Sequence, residues 1–157
     1  MNKKKEILTY PHSILLAKCH PVEEINQETK NSLDKMIKIM VALGGIGLAA
    51  PQIGITQRLI TVMVKKKLYQ VINPEIAWQS GTQVNIEVCF SVPNKLYQVS
   101  RSEEMVLQGF DPEGKEICVL VNSIVALVFQ HEIDHLNGIL INSKGKVIEQ
   151  TQKVATG

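Results

Sequence analysis

The sequence predicts an α+β fold in which antiparallel strands pack on a central helix. Residues 122–136 are apolar nearly all round, which is typical of a buried helix. Short apolar runs separated by turn residues precede this segment and are typical of antiparallel strands. A length of 157 residues fits one domain that can bury its own core. We therefore expect a single domain over residues 1–157, with a polar tail over residues 142–157.

Each element has its own signal in the sequence. The first helix is predicted over residues 26–43, where Asn26 can cap the N-terminus and Gly44-Gly45 ends the apolar periodicity. The basic run 65–67 indicates a solvated hairpin tip, and the turn residues 111–114 indicate a second hairpin. Asn137-Gly138 is a favoured end for the second helix. The strands are predicted over residues 59–64, 68–72, 96–100, 105–110 and 116–121.

Composition excludes several classes of protein. A formal net charge of +2 is too small for a protein that coats nucleic acid. No stretch approaches the roughly 20 continuous apolar residues that a membrane-spanning helix requires. The basic start at residues 1–5 lacks the apolar run of a secretory signal. Since three cysteines cannot form a disulfide framework, we expect the reducing cytoplasm as the location.

The second helix carries the motif H-E-x-x-H at residues 131–135. Its spacing places His131 and His135 one turn apart on the same face, where both can bind one metal ion. Glu132 is rotated by about one hundred degrees, close enough to act on water without being a ligand. The alternative is a pair of hydrogen-bonded histidines beside a surface acid. We favour the metal site, because so many ionisable groups are costly on a buried helix.

A third ligand is needed, and Cys89 is the best candidate. A thiolate with two imidazoles leaves a coordination position open for water. Glu149 in the polar tail is a poorer candidate, and Cys19 and Cys118 are expected to be small buried residues. A further segment, residues 45–54, is rich in glycine and alanine and allows close backbone approach. Within it, Gln52 offers an amide donor that can stabilise an oxyanion.

These segments, taken in order, resemble the peptide deformylase family. Its hallmarks are G-x-G-L-A-A-x-Q, E-G-C-x-S and H-E-x-D-H, found here at residues 45–52, 87–91 and 131–135. The resemblance extends from Tyr10-Pro11 to about Ile141. It implies the deformylase α+β fold, in which antiparallel sheets surround the motif helix. It also implies removal of the formyl group from N-formylmethionine at the start of newly made peptides, with release of formate.

The resemblance further implies a set of residue roles. Cys89, His131 and His135 hold one divalent metal, with Fe(II) expected, although zinc, nickel or cobalt can occupy the same ligands. Glu132 takes a proton from the attacking water and passes it to the leaving amine. The donors to the formyl oxygen are the Gln52 side chain and the Phe90 backbone N–H. The expected partners are N-formylmethionyl nascent peptides near the ribosome, with no direct binding to nucleic acid or membrane.

Substrate contacts are predicted on two sides of this site. The substrate backbone can pair with the chain around Ile46 and Gly47, as in β-augmentation. Apolar residues on the same helix face as His131 can line a methionine pocket, although core packing is an equal alternative. The pocket candidates are Ile124, Leu127 and Val128. Asp134 and Arg101 can form an ion pair that orients the site, while Lys144 and Lys146 are expected to be only solvated.

One position departs from the family pattern, since Val88 replaces the glycine of E-G-C-x-S. A β-branched residue does not readily adopt positive φ, so we expect strain or crowding beside Cys89. The alternative function is therefore a deformylase-like paralogue with weakened or altered activity, which binds metal or N-acylated peptide without efficient turnover. A zinc peptidase is a third interpretation, disfavoured because the third ligand lies upstream of the helix.

Overall fold

Two antiparallel sheets enclose the helix that carries the H-E-x-x-H motif. The computed structural model describes residues 6–148. Its helices are α1 (Ser13–Leu16), α2 (Gln27–Ala42), α3 (Ser123–Leu136) and α4 (Ile141–Lys144). Its strands are β1 (Gly47–Ala49), β2 (Leu59–Val64), β3 (Lys67–Ser80), β4 (Gln83–Cys89), β5 (Val92–Arg101), β6 (Glu104–Phe110), β7 (Glu116–Asn122) and β8 (Lys146–Ile148). A 3₁₀ turn, Ala50–Ile53, follows β1.

The first long helix begins where its capping residue predicts. The Asn26 side chain accepts a hydrogen bond of 3.0 Å from the backbone N–H of Thr29. The Thr29 hydroxyl in turn accepts from the backbone N–H of Asn26, which completes a capping box. The buried face of α2 packs against β1 and β2 through Leu33, Met36, Ile39 and Met40. The predicted helix over residues 26–43 is therefore confirmed.

The larger sheet has the strand order β1-β2-β3-β6-β7, and all neighbouring strands are antiparallel. Lys65 and Lys66 form the tip of the β2–β3 hairpin and both adopt positive φ, as a tight hairpin turn requires. Asp111 closes the β6–β7 turn, since its side chain accepts from the backbone N–H groups of Glu113 and Lys115. Both predicted hairpins are confirmed, and β1 is an edge strand.

Strand β3 is longer than the predicted strand over residues 68–72. It continues through Pro74 because the pairing with β6 shifts register between Ile72 and Glu75. Asn73 absorbs this bulge with a φ of 53°. The Asn73 side chain also holds the chain at Val22, since it accepts from the Val22 N–H at 2.8 Å and donates to the Val22 carbonyl at 2.9 Å. A proline is tolerated in this strand because it lies at a bulge.

The smaller sheet has the order β4-β5-β8, and two of its strands, β4 and β8, were not predicted from the sequence. β4 has apolar side chains at Val84, Ile86 and Val88, but all three are exposed and the alternate positions face inward. β8 pairs with β5 inside the segment predicted to be a polar tail. The predicted polar tail therefore includes the end of α4 and all of β8, two elements that were not predicted. Residues 1–5 and 149–157, including Glu149, lie outside the described part.

Helix α3 lies between the sheets and forms the centre of the core. Its residues Ala126, Leu127, Val128 and Phe129 are buried against β1, β2, β6 and β7. This arrangement confirms the predicted α+β class with antiparallel strands around a central helix. Cys19 is buried in the same core, whereas Cys118 is exposed, contrary to expectation, because it lies on the outer face of β7. None of the helices within residues 6–148 is long and apolar enough to cross a membrane.

Candidate metal centre

The end of β4 and one face of α3 bring three ligand atoms together. Cys89 is the last residue of β4, directly before a two-residue turn into β5. The ligand atoms of Cys89, His131 and His135 all lie within 4.8 Å of one another. Sγ of Cys89 is 3.4 Å from Nε2 of His135. The structure therefore assembles the three residues that the motifs single out, from two elements distant in sequence.

Glu87 fixes the orientation of the first histidine. Its Oε1 accepts a hydrogen bond of 2.8 Å from Nδ1 of His131, so Nε2 is the ring nitrogen left on the side of Cys89 and His135. Burial alone would raise the pKa of Glu87, but the hydrogen bonds from His131 and Arg101 outweigh it and lower the pKa to about 2. Since this carboxylate is ionised at neutral pH, the hydrogen belongs to Nδ1 of His131.

The two histidines differ in their surroundings. Burial favours a lower pKa for His131, but hydrogen bonds with Cys89 and Glu87 and the charge of Glu132 raise that pKa to about 10. Burial, followed by the charges of His131 and Arg101, holds the pKa of His135 well below its usual range. His135 is thus neutral and has a lone pair available for a metal.

Glu132 is buried beside the ligands with an unpartnered oxygen. Its Oε2 has no hydrogen-bond partner within the described residues. Burial raises the pKa of Glu132 to about 7, although the charges of His131 and Arg101 act in the opposite direction. The alternative of a surface acid is excluded, because the residue is only 4% exposed. A carboxyl group that titrates near neutrality is suited to both accepting and donating a proton.

The residues present fit a divalent metal ion. Thiolate and imidazole ligands on one tetrahedral ion lie roughly 3.5 Å apart, close to the observed separation of Cys89 and His135. A buried carboxylate oxygen without a partner would be costly, unless a bound ion and its water satisfy it. The mixed sulfur and nitrogen donor set suits iron, zinc, nickel and cobalt alike.

Gln52 reaches the ligand cluster from the 3₁₀ turn after β1. Its Oε1 accepts from the backbone N–H of Ala49 at 3.0 Å, so the amide nitrogen must point the other way. That Nε2 donates to the hydroxyl of Ser91 at 3.2 Å and lies 3.9 Å from Sγ of Cys89. The structure thus places the Gln52 donor at the ligands, as predicted. Ser91 is fully buried and was not singled out from the sequence.

Gly47 packs so closely against Glu132 that a side chain at this position would not fit. A Cβ added to Gly47 would lie 2.6 Å from Oε1 of Glu132 and 2.9 Å from Cγ1 of Val128. A Cβ added to Gly45 would lie 2.7 Å from the ring of Phe90. Strand β1 therefore runs directly over the site, and the neighbouring Ile46 is exposed at the edge of the sheet.

The other predicted residues occupy different surroundings. Val128 contacts the site through Gly47, whereas Leu127 is buried in the main core and Ile124 is exposed near the start of α3. Arg101 is buried and donates to Asp134 at 2.8 Å, which is the pair expected from the sequence. Arg101 also forms two hydrogen bonds with Glu87, of 2.6 and 2.9 Å.

Two expectations about single residues need correction. Val88 does not adopt positive φ, so the predicted backbone strain is not present. Its side chain is 58% exposed, on the face of β4 opposite to Glu87 and Cys89. Lys144 is not merely solvated, because its Nζ lies 2.9 Å from Oδ2 of Asp134. This second contact of Asp134 could not be read from the sequence, since Lys144 lies in α4, a helix that was not predicted.

Comparisons with known proteins agree with this geometry. Residues 4–151 match the polypeptide deformylase family. The chain is 44% identical over 139 residues to a peptide deformylase of Syntrophomonas wolfei, covering 88% of this chain and 91% of the relative. It is 40% identical over 144 residues to a peptide deformylase of Thermodesulfovibrio yellowstonii, covering 88% and 87%.

Solved structures give the same result. The fold is similar to that of a peptide deformylase from Thermotoga maritima, with a TM-score of 0.86, 34% identity and coverage of 88% of this chain and 95% of the other. A peptide deformylase from Thermus thermophilus matches with a TM-score of 0.85 and 36% identity, covering 88% and 83%. These matches favour a peptide deformylase over both the non-catalytic binding protein and the zinc peptidase.

Proposed function

The chain belongs to the polypeptide deformylase family, and we propose that Cys89, His131 and His135 hold the divalent metal with which this family works. Its reaction is the hydrolysis of the formyl group from N-formylmethionine at the start of newly made peptides, with release of formate. The observation that supports the assignment is the cluster of three ligand atoms within 4.8 Å, beside a buried acid. We propose Fe(II) as the metal, since the family resemblance implies it.

Glu132, Gln52 and Phe90 carry out the proton transfers and stabilise the developing charge. The metal, when bound, supplies a Lewis acid that activates water and polarises a carbonyl. Glu132 takes the proton of the attacking water through its unpartnered oxygen and delivers it to the leaving amine nitrogen. As the formyl oxygen gains charge, Nε2 of Gln52 and the backbone N–H of Phe90 donate hydrogen bonds to it. The Gln52 amide is already held by Ala49 and Ser91, so it does not have to be reorganised during the reaction.

The substrate lies along the free edge of β1. This edge has no strand partner within residues 6–148, so an extended peptide can add to it at Ile46 and Gly47. The Ile46 carbonyl already accepts a hydrogen bond of 2.8 Å from the N–H of Met63, so we place the backbone contacts of the peptide mainly at Gly47. The methionine side chain enters an apolar pocket beside the metal. Val128 supports this assignment because it packs against Gly47. Ile124 and Leu127 stay candidates for the lining, although Ile124 is exposed and Leu127 is buried in the main core.

Two experiments test this proposal. Anaerobically prepared Fe(II) protein should release formate from formyl-Met-Ala. Cys89→Ala, His131→Ala and His135→Ala should each lose most of the bound metal, as measured by elemental analysis, because each removes one of three ligands. Cys118→Ala is the matched control, since that thiol is exposed on the outer face of β7, and it should keep its metal. Full metal occupancy in Cys89→Ala would exclude the ligand assignment.

We also propose that the protein acts in the cytoplasm, on nascent peptides near the ribosome. The support is chemical: Cys19, Cys89 and Cys118 are all free thiols, which is typical of a reducing compartment. Cell fractionation checks the location. Cosedimentation with ribosomes that carry formylated nascent chains checks the proximity to the ribosome. A protein found only in membrane or secreted fractions would contradict both the location and the action on nascent chains.

A further inference from the structure

A continuous row of alternating charges connects helix α4 to the metal-binding histidine. At its outer end, Nζ of Lys144 lies 2.9 and 3.1 Å from the two carboxylate oxygens of Asp134. Asp134 also accepts from Nη1 of Arg101 at 2.8 Å. Lys144 thereby reaches α3 from a segment that follows the whole H-E-x-x-H motif in the sequence.

The inner half of the row ends at a metal ligand. Arg101 donates from Nε and Nη2 to the two oxygens of Glu87, at 2.6 and 2.9 Å. Oε1 of Glu87 then accepts from Nδ1 of His131 at 2.8 Å. Bidentate pairing of this kind fixes the plane of both groups, so a change in Arg101 is passed to the ring of His131.

Among the four side chains from Lys144 to Glu87, two cations face two anions. Lys144 and Arg101 are the cations, Asp134 and Glu87 are the anions, and the side-chain exposure falls from 38% at Lys144 to 1% at Arg101. Arg101 already bonds both carboxylates, and Lys144 gives Asp134 a second cation. Without Lys144, Asp134 would compete more strongly with Glu87 for Arg101.

We propose that Lys144 is a positioning residue of the metal centre, which acts through Asp134, Arg101 and Glu87 on the ring of His131. The inference rests on the proposed function, because it takes His131 as a ligand. It assigns a role to α4, a helix of four residues that otherwise only packs beside β5 and β4. Lys144 touches neither a ligand nor the substrate, so its effect is indirect.

Metal affinity is the first measurement, made with Co(II) as the probe and a competing chelator. Lys144→Met should weaken Co(II) binding by about 3- to 10-fold, less than is usual for a direct partner of a ligand, because Lys144 is partly exposed. It should also shift the visible absorption bands of the bound Co(II), which report ligand geometry. Lys144→Arg should restore both readouts. Lys146→Met is the matched control, since Lys146 is exposed and makes no ion pair with the described residues.

Two further readouts distinguish positioning from general destabilisation. In an Asp134→Asn background, Lys144→Met should have no additional effect on Co(II) affinity, because the connection is already broken. The difference between wild type and Lys144→Met should shrink as ionic strength rises from about 0.05 to 0.5 M, since salt screens a partly exposed pair.

The possible failures can be told apart. Equal Co(II) affinity and identical spectra in wild type and Lys144→Met would overturn the inference and leave the proposed function intact. A loss of the same size in Lys146→Met would also overturn it. Retention of metal in His131→Ala would instead overturn the ligand assignment in the proposed function, and the inference with it.

Discussion

Gly47 shows how much the site depends on the absence of one methyl group. Its missing Cβ leaves the space that Oε1 of Glu132 and Cγ1 of Val128 occupy. The requirement is one of close approach, because strand β1 runs across the face of α3 that carries the acid. The glycine-rich motif and the H-E-x-x-H motif, far apart in sequence, are therefore two sides of a single contact.

Glu132 provides the sharpest test at the scale of a single residue. Glu132→Gln keeps the size of the side chain and removes its basicity. We expect metal content to be unchanged, because Glu132 is not among the ligands, while turnover of formyl-Met-Ala falls by about 10²- to 10⁴-fold. Elemental analysis and formate release measure the two effects on the same sample. Near-normal turnover in the variant would contradict the proton-transfer role.

Val88 tests whether the departure from the family pattern matters. Its exposed side chain faces away from Cys89, so Val88→Gly should leave the metal content unchanged. The crowding expected from the sequence would require Val88→Gly to raise kcat/KM on formyl-Met peptides, since even about 1 Å of misplacement can cost about 10²-fold in rate. The outward orientation of the side chain instead predicts that kcat/KM is unchanged.

The same variant should lower the free energy of unfolding by about 0.5–1 kcal/mol, because glycine weakens a strand. Val88→Ala serves as the intermediate control. If the wild type is already fast and Val88→Gly leaves kcat/KM unaltered or lowers it, the crowding hypothesis is wrong and valine is simply tolerated at this position.

The elements missed from the sequence were very short or had an inverted hydrophobic pattern. Long segments with clear periodicity, such as α2, α3 and β2, were predicted nearly to their ends. β4 was missed because its alternation is inverted: Val84, Ile86 and Val88 face outward while Glu87 and Cys89 face the site. The usual rule places apolar side chains inside, and here the ligand and its acidic partner take those positions. β1 and β8 are three residues each and too short for any period.

The site shows the same division between local and long-range information. Cys89, His131, His135, Glu132 and Gln52 could be proposed from the sequence because their motifs are local. The roles of Glu87, Ser91 and Lys144 arise from contacts between β4, β5, α3 and α4. No sequence pattern reports such contacts, since they depend on how the two sheets meet.

Helix α2 offers a prediction at the scale of an element. Asn26→Ala removes the capping box and leaves the N–H of Thr29 without its side-chain acceptor. We expect the free energy of unfolding to fall by about 1 kcal/mol, with kcat/KM and metal content unchanged, because α2 contributes no ligand. Urea unfolding measures the loss. Lys35→Ala, at an exposed position within the same helix, is the control and should change stability by less than about 0.5 kcal/mol.

At the scale of the whole molecule, the site lies where the two sheets and α3 meet. The larger sheet contributes Gly47, the smaller sheet contributes Cys89 and Glu87, and α3 contributes both histidines. Glu87 and Arg101 form an ion pair within the smaller sheet, and each also bonds α3, Glu87 through His131 and Arg101 through Asp134. The pair therefore serves the fold as well as the ligands. A single catalytic domain over residues 1–157 stays a prediction. The stability of the described part should nevertheless depend on this buried pair.

Acid should weaken the fold through Glu87. Its pKa is lowered from 4.5 to about 2 in the folded protein, after hydrogen bonds from His131 and Arg101 outweigh the effect of burial. A group whose pKa is lower in the folded state stabilises the protein above its unfolded pKa. That contribution, about 3 kcal/mol here, is lost as the pH falls from about 4.5 towards 2.

Glu87→Gln should therefore be less stable than wild type at pH 7, and this difference should shrink steadily below about pH 4.5. Urea unfolding of both proteins at pH 7, 5, 4 and 3, in the presence of a chelator, measures the effect without a contribution from metal release. Glu116→Gln removes an exposed acid on β7 and should differ from wild type by a small, nearly constant amount. A Glu87→Gln difference that is as large at pH 3 as at pH 7 would show that the lowered pKa of Glu87 does not stabilise the native protein. The buried charged row would then hold the site in place without contributing to the acid resistance of the fold.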